Sequence, residues 1–393
     1  MQDISKTYEI KNYKEKSIIY LENTKAQSHF YIVQEGELKG TVYLRKKCIN
    51  FTYKKGDTFG LIACMTEHDY FERVTTISSC SLIIVKKDGI VPFLLNKKEI
   101  FIKIISNYSD RLRELDKILI KQTGNCYCIK NPGRLLEIAA FFENNGNMTN
   151  MIYALKKYVQ LSDNKMKKDE IKKKLGLIEK DYKTPEVLDS KISLKAGDIV
   201  FLEQEKGNVF YYIEKGKVKI THIHKDEEII IAILGNKEFF GEMALLNRVS
   251  RNASAITFED TELTVLNRDN FMDKLSDVVL KNIFLSFAKR IWFTYRKILN
   301  QSYKNPLTKM YDYLELLITS REGRVNNDKI FFDFSIKDLK KMTNTTNVKD
   351  EDLYDILNDP NISFNYGLIA IMNKKGFLSN VEMYKARENL YKS

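Results

Sequence analysis

Short runs of Val, Ile, Tyr, Phe and Thr, broken by Gly, Asp or Asn turns, dominate two stretches of the chain, and each gives way to a helical period. In the first, Phe30, Tyr31, Ile32 and Val33 precede Gly36; in the second, Phe210, Tyr211, Tyr212 and Ile213 precede Gly216. Further on, Phe59-Gly60 answers Phe240-Gly241, so the copies keep an offset of 180 or 181 residues. A repeat of turn-punctuated strands predicts two antiparallel β-roll, jelly-roll-like domains. The helical periods run through Tyr108, Leu112, Leu115 and Leu119, and through Ile283, Phe287, Ile291 and Ile298. Those apolar faces either close their own barrels or pack on one another, within one chain as a pseudo-dimer or between chains as a homodimer.

Between the copies, residues 135–162 have helical spacing, and a Lys-rich stretch follows that predicts a solvated helix. From Asn305 the pattern is helix, helix-turn-helix and hairpin, with Lys374 and Lys375 expected in the hairpin. The fold class is therefore α+β, in four expected domains: 1–129, a degenerate first barrel; 130–184, a helical linker; 185–302, the second barrel; and 303–393, a C-terminal helical domain with a hairpin.

The net charge of +12 is uneven. Residues 1–129 hold 21 basic against 15 acidic side chains, residues 130–184 hold 12 against 7, residues 185–302 hold 17 of each, and residues 303–393 hold 14 against 13. A DNA reader is expected to be locally basic, because phosphate neutralisation supplies most non-specific affinity; the last quarter is not. Five cysteines, all in the first third, do not make a disulfide framework, and Cys126 with Cys128 supplies too few sulfurs for a zinc site. No uncharged apolar run reaches the roughly 18 to 20 residues that cross a bilayer, and the N-terminus lacks a signal-peptide core, so the chain is expected in the cytoplasm without membrane contact.

Candidate chemistry lies in the second copy, in the segment Phe240-Gly241-Glu242-Met243-Ala244-Leu245-Leu246-Asn247-Arg248-Val249-Ser250-Arg251-Asn252-Ala253. Gly241 permits a turn that a Cβ would hinder, and the apolar residues after it read as a helical turn whose free N–H groups can face an anion. Arg251 offers a planar fork for a phosphate and Glu242 an acceptor for a sugar hydroxyl. With the Lys195 to Asp198 opening and the F-Y-Y-I-x-x-G strand, residues 190–300 resemble the cyclic nucleotide-binding domain family. The resemblance implies that Arg251 binds the cyclic phosphate and Glu242 the ribose 2′-hydroxyl. It also implies that the backbone at Gly241, Ala244, Asn252 and Ala253 lines the cassette, with Met243 inside it. In that family the helix after the barrel lids the base, which carries over to Trp292 and Thr294. Asn252 stands where a Thr tends to favour guanine, which leans the ligand towards cAMP among cyclic nucleotides. No other cofactor is implied.

The first copy departs from the pattern. Leu61 replaces the sugar-binding Glu after Gly60, and Arg73 follows Gly60 by thirteen residues, against ten from Gly241 to Arg251. An apolar group cannot accept a hydroxyl, so Gly60, Leu61 and Arg73 read as a degenerate site. The linker resembles one tetratricopeptide hairpin, with Ile138, Ala139, Phe142, Gly146, Ile152 and Leu155 as packing residues; a lone repeat must bury its face on a barrel or a partner. Residues 303–393 resemble the winged helix-turn-helix of the cyclic-AMP receptor protein and Fnr regulators. There residues 348–357 would be the recognition helix, yet they carry Lys349 against Asp350, Glu351, Asp352 and Asp355.

No G-x-S-x-G, H-E-x-x-H, Walker loop or kinase signature is present, and His222 and His224 read as an exposed strand, so no catalytic residue is expected. These readings predict a cyclic-nucleotide sensor coupling the second barrel to the C-terminal domain, which would engage DNA or a protein. The alternatives are a DNA-binding transcription regulator of the cyclic-AMP receptor type and an interaction scaffold with vestigial sites.

Overall fold

The computed structural model describes residues 8–44, 47–90, 98–122, 131–178, 191–224, 227–241, 250–267, 277–320, 323–365 and 367–390. The first repeat forms eight strands, β1 (Tyr8–Tyr13), β2 (Ile18–Tyr20), β3 (His29–Glu35), β4 (Leu38–Leu44), β5 (Lys47–Tyr53), β6 (Thr58–Phe59), β7 (Arg73–Thr76) and β8 (Cys80–Lys86). A short helix, α1 (Leu61–Thr66), lies between β6 and β7, and a long one, α2 (Lys98–Gln122), follows. The strands pair antiparallel in two sheets, β1-β8-β3-β6 and β2-β7-β4-β5. Alternate residues of β3 and β8 turn inward, so Tyr31, Val33, Leu82 and Ile84 share a core with Leu38, Phe59 and Val74.

The linker is helical: α3 (Arg134–Asn144), α4 (Met148–Leu161) and α5 (Lys165–Ile178). Asn147 caps α4 by accepting from the Asn150 amide, and Gly146 at φ 72° supplies the turn before it. The hairpin does not bury its face on itself. Leu135, Ile138, Phe142, Met151, Ile152, Leu155 and Tyr158 form one core with Ile199, Leu202, Ile223 and Ile256 of the second barrel. Each large side chain so buried contributes about 1.5–3 kcal/mol.

That barrel repeats the first: β9 (Lys191–Leu194), β10 (Ile199–Phe201), β11 (Val209–Lys215), β12 (Val218–His224), β13 (Glu227–Leu234), β14 (Phe239–Phe240), β15 (Ser254–Thr257) and β16 (Thr261–Asn267). Its sheets, β9-β16-β11-β14 and β10-β15-β12-β13, reproduce the strand order of the first copy. The repeated glycine has one cause in both. Gly36 and Gly216 sit at φ 90° and 89°, and a Cβ would collide with the backbone oxygen of Ser79 or Asp260. The helix α6 (Asp277–Gln301) follows, with Ile283, Phe287, Ile291 and Ile298 buried as their spacing predicts. Tyr108 of α2 meets Phe287 of α6 with ring centroids 6.4 Å apart, so the post-barrel helices touch within one chain.

Two compact units divide the chain: residues 1–114, 128–227 and 231–292, and residues 115–127, 228–230 and 293–393. The second contains α7 (Pro306–Thr319), β17 (Arg324–Asn326), β18 (Lys329–Phe332), α8 (Ile336–Thr343), α9 (Tyr354–Leu357), β19 (Ile362–Asn365), β20 (Leu368–Ile371) and α10 (Lys374–Leu390). Its sheet runs β17-β18-β20-β19, and with its helices the region is winged-helix-like. A capping box between Ser335 and Asp338 starts α8. Two expectations are corrected. The segment expected as a recognition helix is a 3-10 turn, Glu351–Leu353, and the four residues of α9. Lys374 and Lys375 are not in the hairpin but open α10.

Candidate functional site

The turn between β14 and β15 carries Arg251, whose side chain is 5% exposed. Its guanidinium lies over the Phe201 ring at 4.1 Å, donates to the Val209 carbonyl at 2.6 Å and donates to the Gly241 carbonyl. Gly241 sits at φ 83°, and a Cβ there would stand 2.7 Å from the Arg251 Nη1. The glycine therefore makes the sharp turn and leaves room for the cation.

The backbone of Arg251 is pinned to the β10–β11 turn: the Arg251 amide donates to the Glu205 carbonyl at 2.8 Å and the Gln204 amide to the Arg251 carbonyl at 2.9 Å. The Glu205 side chain accepts from the Leu202 amide at 2.8 Å and from the Tyr153 hydroxyl at 3.0 Å, and pairs with Lys157 at 2.8 Å. Thus α4 holds the turn that holds Arg251.

Of the residues expected in the site, Gly241 and Arg251 are brought together, Asn252 is half-buried beside them and Ala253 is buried. Glu242, Met243 and Ala244 lie outside the described residues. Thr294 is buried in α6 within the second unit. Trp292 stacks on His68 of the first barrel with centroids 3.8 Å apart.

The register of the first barrel corrects its predicted site. Tyr20 pairs with Val74 as Phe201 pairs with Ala255, and Thr41 pairs with Arg73 where Thr221 pairs with Ser254. Arg73 is therefore the counterpart of Ser254, and its guanidinium lies over the Tyr43 ring at 5.3 Å. Tyr70 is the counterpart of Arg251: its amide donates to the Thr24 carbonyl, and its own carbonyl accepts from the Asn23 amide. The signal was present in the spacing, since Tyr70 follows Gly60 by ten residues as Arg251 follows Gly241. Leu61 is fully buried at the start of α1 and offers no acceptor.

A second polar cluster escaped sequence reasoning and corrects the reading of His222 as exposed. His222 is buried with Glu203 and Arg134, its Nδ1 2.6 Å from the Glu203 carboxylate. Arg134, on α3, donates from Nε to the same carboxylate at 3.1 Å and from Nη2 to the Ile223 carbonyl. No local motif announces it, because its members are 69 and 88 residues apart. Among the described residues, no group of three or more His, Cys, Asp or Glu could hold a metal ion, and no helix is long and apolar enough to cross a membrane.

Both barrels are similar to a known domain family: residues 10–97 and 191–277 match the family model described as "Cyclic nucleotide-binding domain". Among curated relatives, the chain is 35% identical over 98 residues to a cyclic AMP receptor protein of Thermus thermophilus, covering 24% of this chain and 45% of that protein. It is 32% identical over 105 residues to a cAMP-dependent protein kinase regulatory subunit of Yarrowia lipolytica, covering 27% of each. The chain thus spans less than half the length of these relatives. A solved transcriptional regulator of the CRP/FNR family from Thermus thermophilus aligns over 49% of this chain and 98% of its own, with 19% identity and a TM-score of 0.41.

Proposed function

We propose that this chain is a non-catalytic regulator that binds a cyclic nucleotide, cAMP by preference, in its second barrel and passes the event to its winged-helix-like region. The observation that carries the reading is Arg251: a buried cation presented beside a glycine turn, its guanidinium donating to the backbone carbonyls of Gly241 and Val209. A phosphate is a stronger partner for a guanidinium than a neutral carbonyl, so a cyclic phosphate would compete for the fork that Gly241 and Val209 now share. Asn252 in place of Thr supports cAMP over cGMP. Binding acts on the rest of the chain only so far as the ligand favours one arrangement over another. Calorimetry on the full chain tests the reading: saturable heat with cAMP supports it, and silence with both cAMP and cGMP at millimolar concentration leaves an interaction scaffold.

The resemblance of residues 303–393 to the winged helix-turn-helix of the cyclic-AMP receptor protein and Fnr regulators supports one output in particular, that of a DNA-binding transcription regulator. In this chain the groove-facing role would fall to a segment where Asp350, Glu351 and Asp352 are exposed and Asp355 accepts from the Tyr384 hydroxyl. The compensating basic surface would be at Lys374 and Lys375, both exposed. Binding to duplex DNA with a steep loss between low and moderate salt supports this output; none at low salt directs the proposal to a protein partner.

A further inference from the structure

The first barrel buries an ion pair beside its Gly60 turn. Glu72 projects from the counterpart of Ala253, two residues past Tyr70, and its carboxylate accepts from the Tyr20 hydroxyl at 3.1 Å, the Tyr53 hydroxyl at 2.8 Å and Arg111 at 2.9 Å. Both ends of the ion pair are buried, Glu72 to 3% and Arg111 to 8% exposure. Arg111 comes from α2, lies over the Phe51 ring at 4.1 Å and donates to the Tyr53 hydroxyl at 2.8 Å.

Three differences between the barrels fit this arrangement together. Glu72 replaces Ala253 and brings the carboxylate. Tyr20 replaces Phe201 and adds a donor aimed at it. Gly40 replaces Ile220, and a Cβ at Gly40 would come within 2.8 Å of both the Glu72 carboxylate and the Tyr53 ring. The cavity beside the cluster, lined by Tyr20, Phe59, Gly60, Tyr70, Glu72 and Arg111 among others, is about 10 Å³. That is room for one water and not for a nucleotide.

We propose that Glu72 is a resident anion standing in for a ligand. It keeps α2 closed on the first barrel through Arg111, this barrel takes no cyclic nucleotide, and deleting the carboxylate turns its place into a site for a small carboxylate. The contrast with the second barrel rests on the reading of Arg251 above, but the formate test does not.

Thermal unfolding of the full chain is followed for wild type, Glu72→Ala and Glu72→Ala/Arg111→Met, with and without tens of millimolar sodium formate, sodium chloride at equal ionic strength being the control. The expected result is a lowered Tm for Glu72→Ala that formate, and not chloride, raises, with wild type and the double variant unmoved. A Glu72→Ala protein that folds and ignores formate overturns the proposal. Should Glu72→Ala fail to fold, Glu72→Gln and Arg111→Met are combined instead: effects far smaller together than their sum support the pair, and simple additivity overturns it. Equilibrium dialysis supplies the second arm. One cAMP per chain is expected, two overturn the proposal, and none overturns the second-barrel reading while the formate result decides this one.

Discussion

Tyr70 stands in the first barrel where Arg251 stands in the second. Tyr70 lies on the Tyr20 ring with centroids 3.8 Å apart, and Arg251 lies over Phe201, the Tyr20 counterpart, at 4.1 Å. The same β-turn thus presents a neutral ring in one copy and a cation in the other. Only the second can meet an anionic ligand with a fork.

Replacing Arg251 by Ala removes a charge-assisted contact worth about 1.5–3 kcal/mol, so cAMP affinity measured by calorimetry is expected to fall by about one to two decades. Arg251→Lys keeps the charge without the planar fork and is expected to fall in between. Unchanged affinity in the Ala variant would place the ligand elsewhere.

Arg73→Ala is expected to leave cAMP affinity unmoved, because its side chain faces Tyr43 and its backbone position is that of Ser254. A loss comparable to that of Arg251→Ala in the same titration would refute the register-based assignment.

Removing Arg134 strands a buried carboxylate. Arg134→Met is expected to destabilise the chain by about 3–5 kcal/mol in urea unfolding, since the buried Glu203 carboxylate then loses the guanidinium paired with it. A change under 1 kcal/mol would show that the cluster contributes little.

Lys297 gives a pH test. Burial lowers its pKa to about 7, against the opposite pull of Asp116, while Nζ donates to the Ile230 carbonyl. The unfolded chain therefore binds the extra proton between about pH 7 and the ordinary lysine value near ~10.4, so this group makes stability rise with pH across that window and contributes no slope below it. Chemical unfolding at pH 7, 8 and 9 is expected to show that rise in wild type and a flatter profile in Lys297→Met. Equal slopes would mean that Lys297 keeps its ordinary pKa.

Gly216→Ala places a methyl against the Asp260 carbonyl in left-handed backbone, and a loss of about 1–3 kcal/mol is expected from the conformation before the collision is added. Thermal unfolding measures it, and wild-type stability would contradict the turn geometry.

Much of the architecture was readable along the chain because it is written in local spacing. The 180-residue offset, the six positions from Phe30 to Gly36 and from Phe210 to Gly216, and the ten from Gly241 to Arg251 each reflect a strand or turn whose geometry is set by neighbours in sequence. Seeking an arginine in the first copy led to Arg73; counting positions would have led to Tyr70, because a turn conserves length more strictly than residue type. His222 misled for another reason: alternation in a strand tells which residues share a face, not what covers that face, and here α3 covers it with Arg134.

The amino-acid order alone was enough to assign the repeat, the strand-rich barrels, the helical faces and the cation of the second barrel, since periodicity and turn chemistry act over a few residues. Folding settled what lies opposite what. Glu72 and Arg111 are 39 residues apart and Arg134 and Glu203 are 69, and each carries a charge that would cost several kcal/mol if buried alone. Their burial is tolerated because sheet register and helix packing bring the partners to within hydrogen-bond distance, and no spacing rule along the chain encodes that meeting.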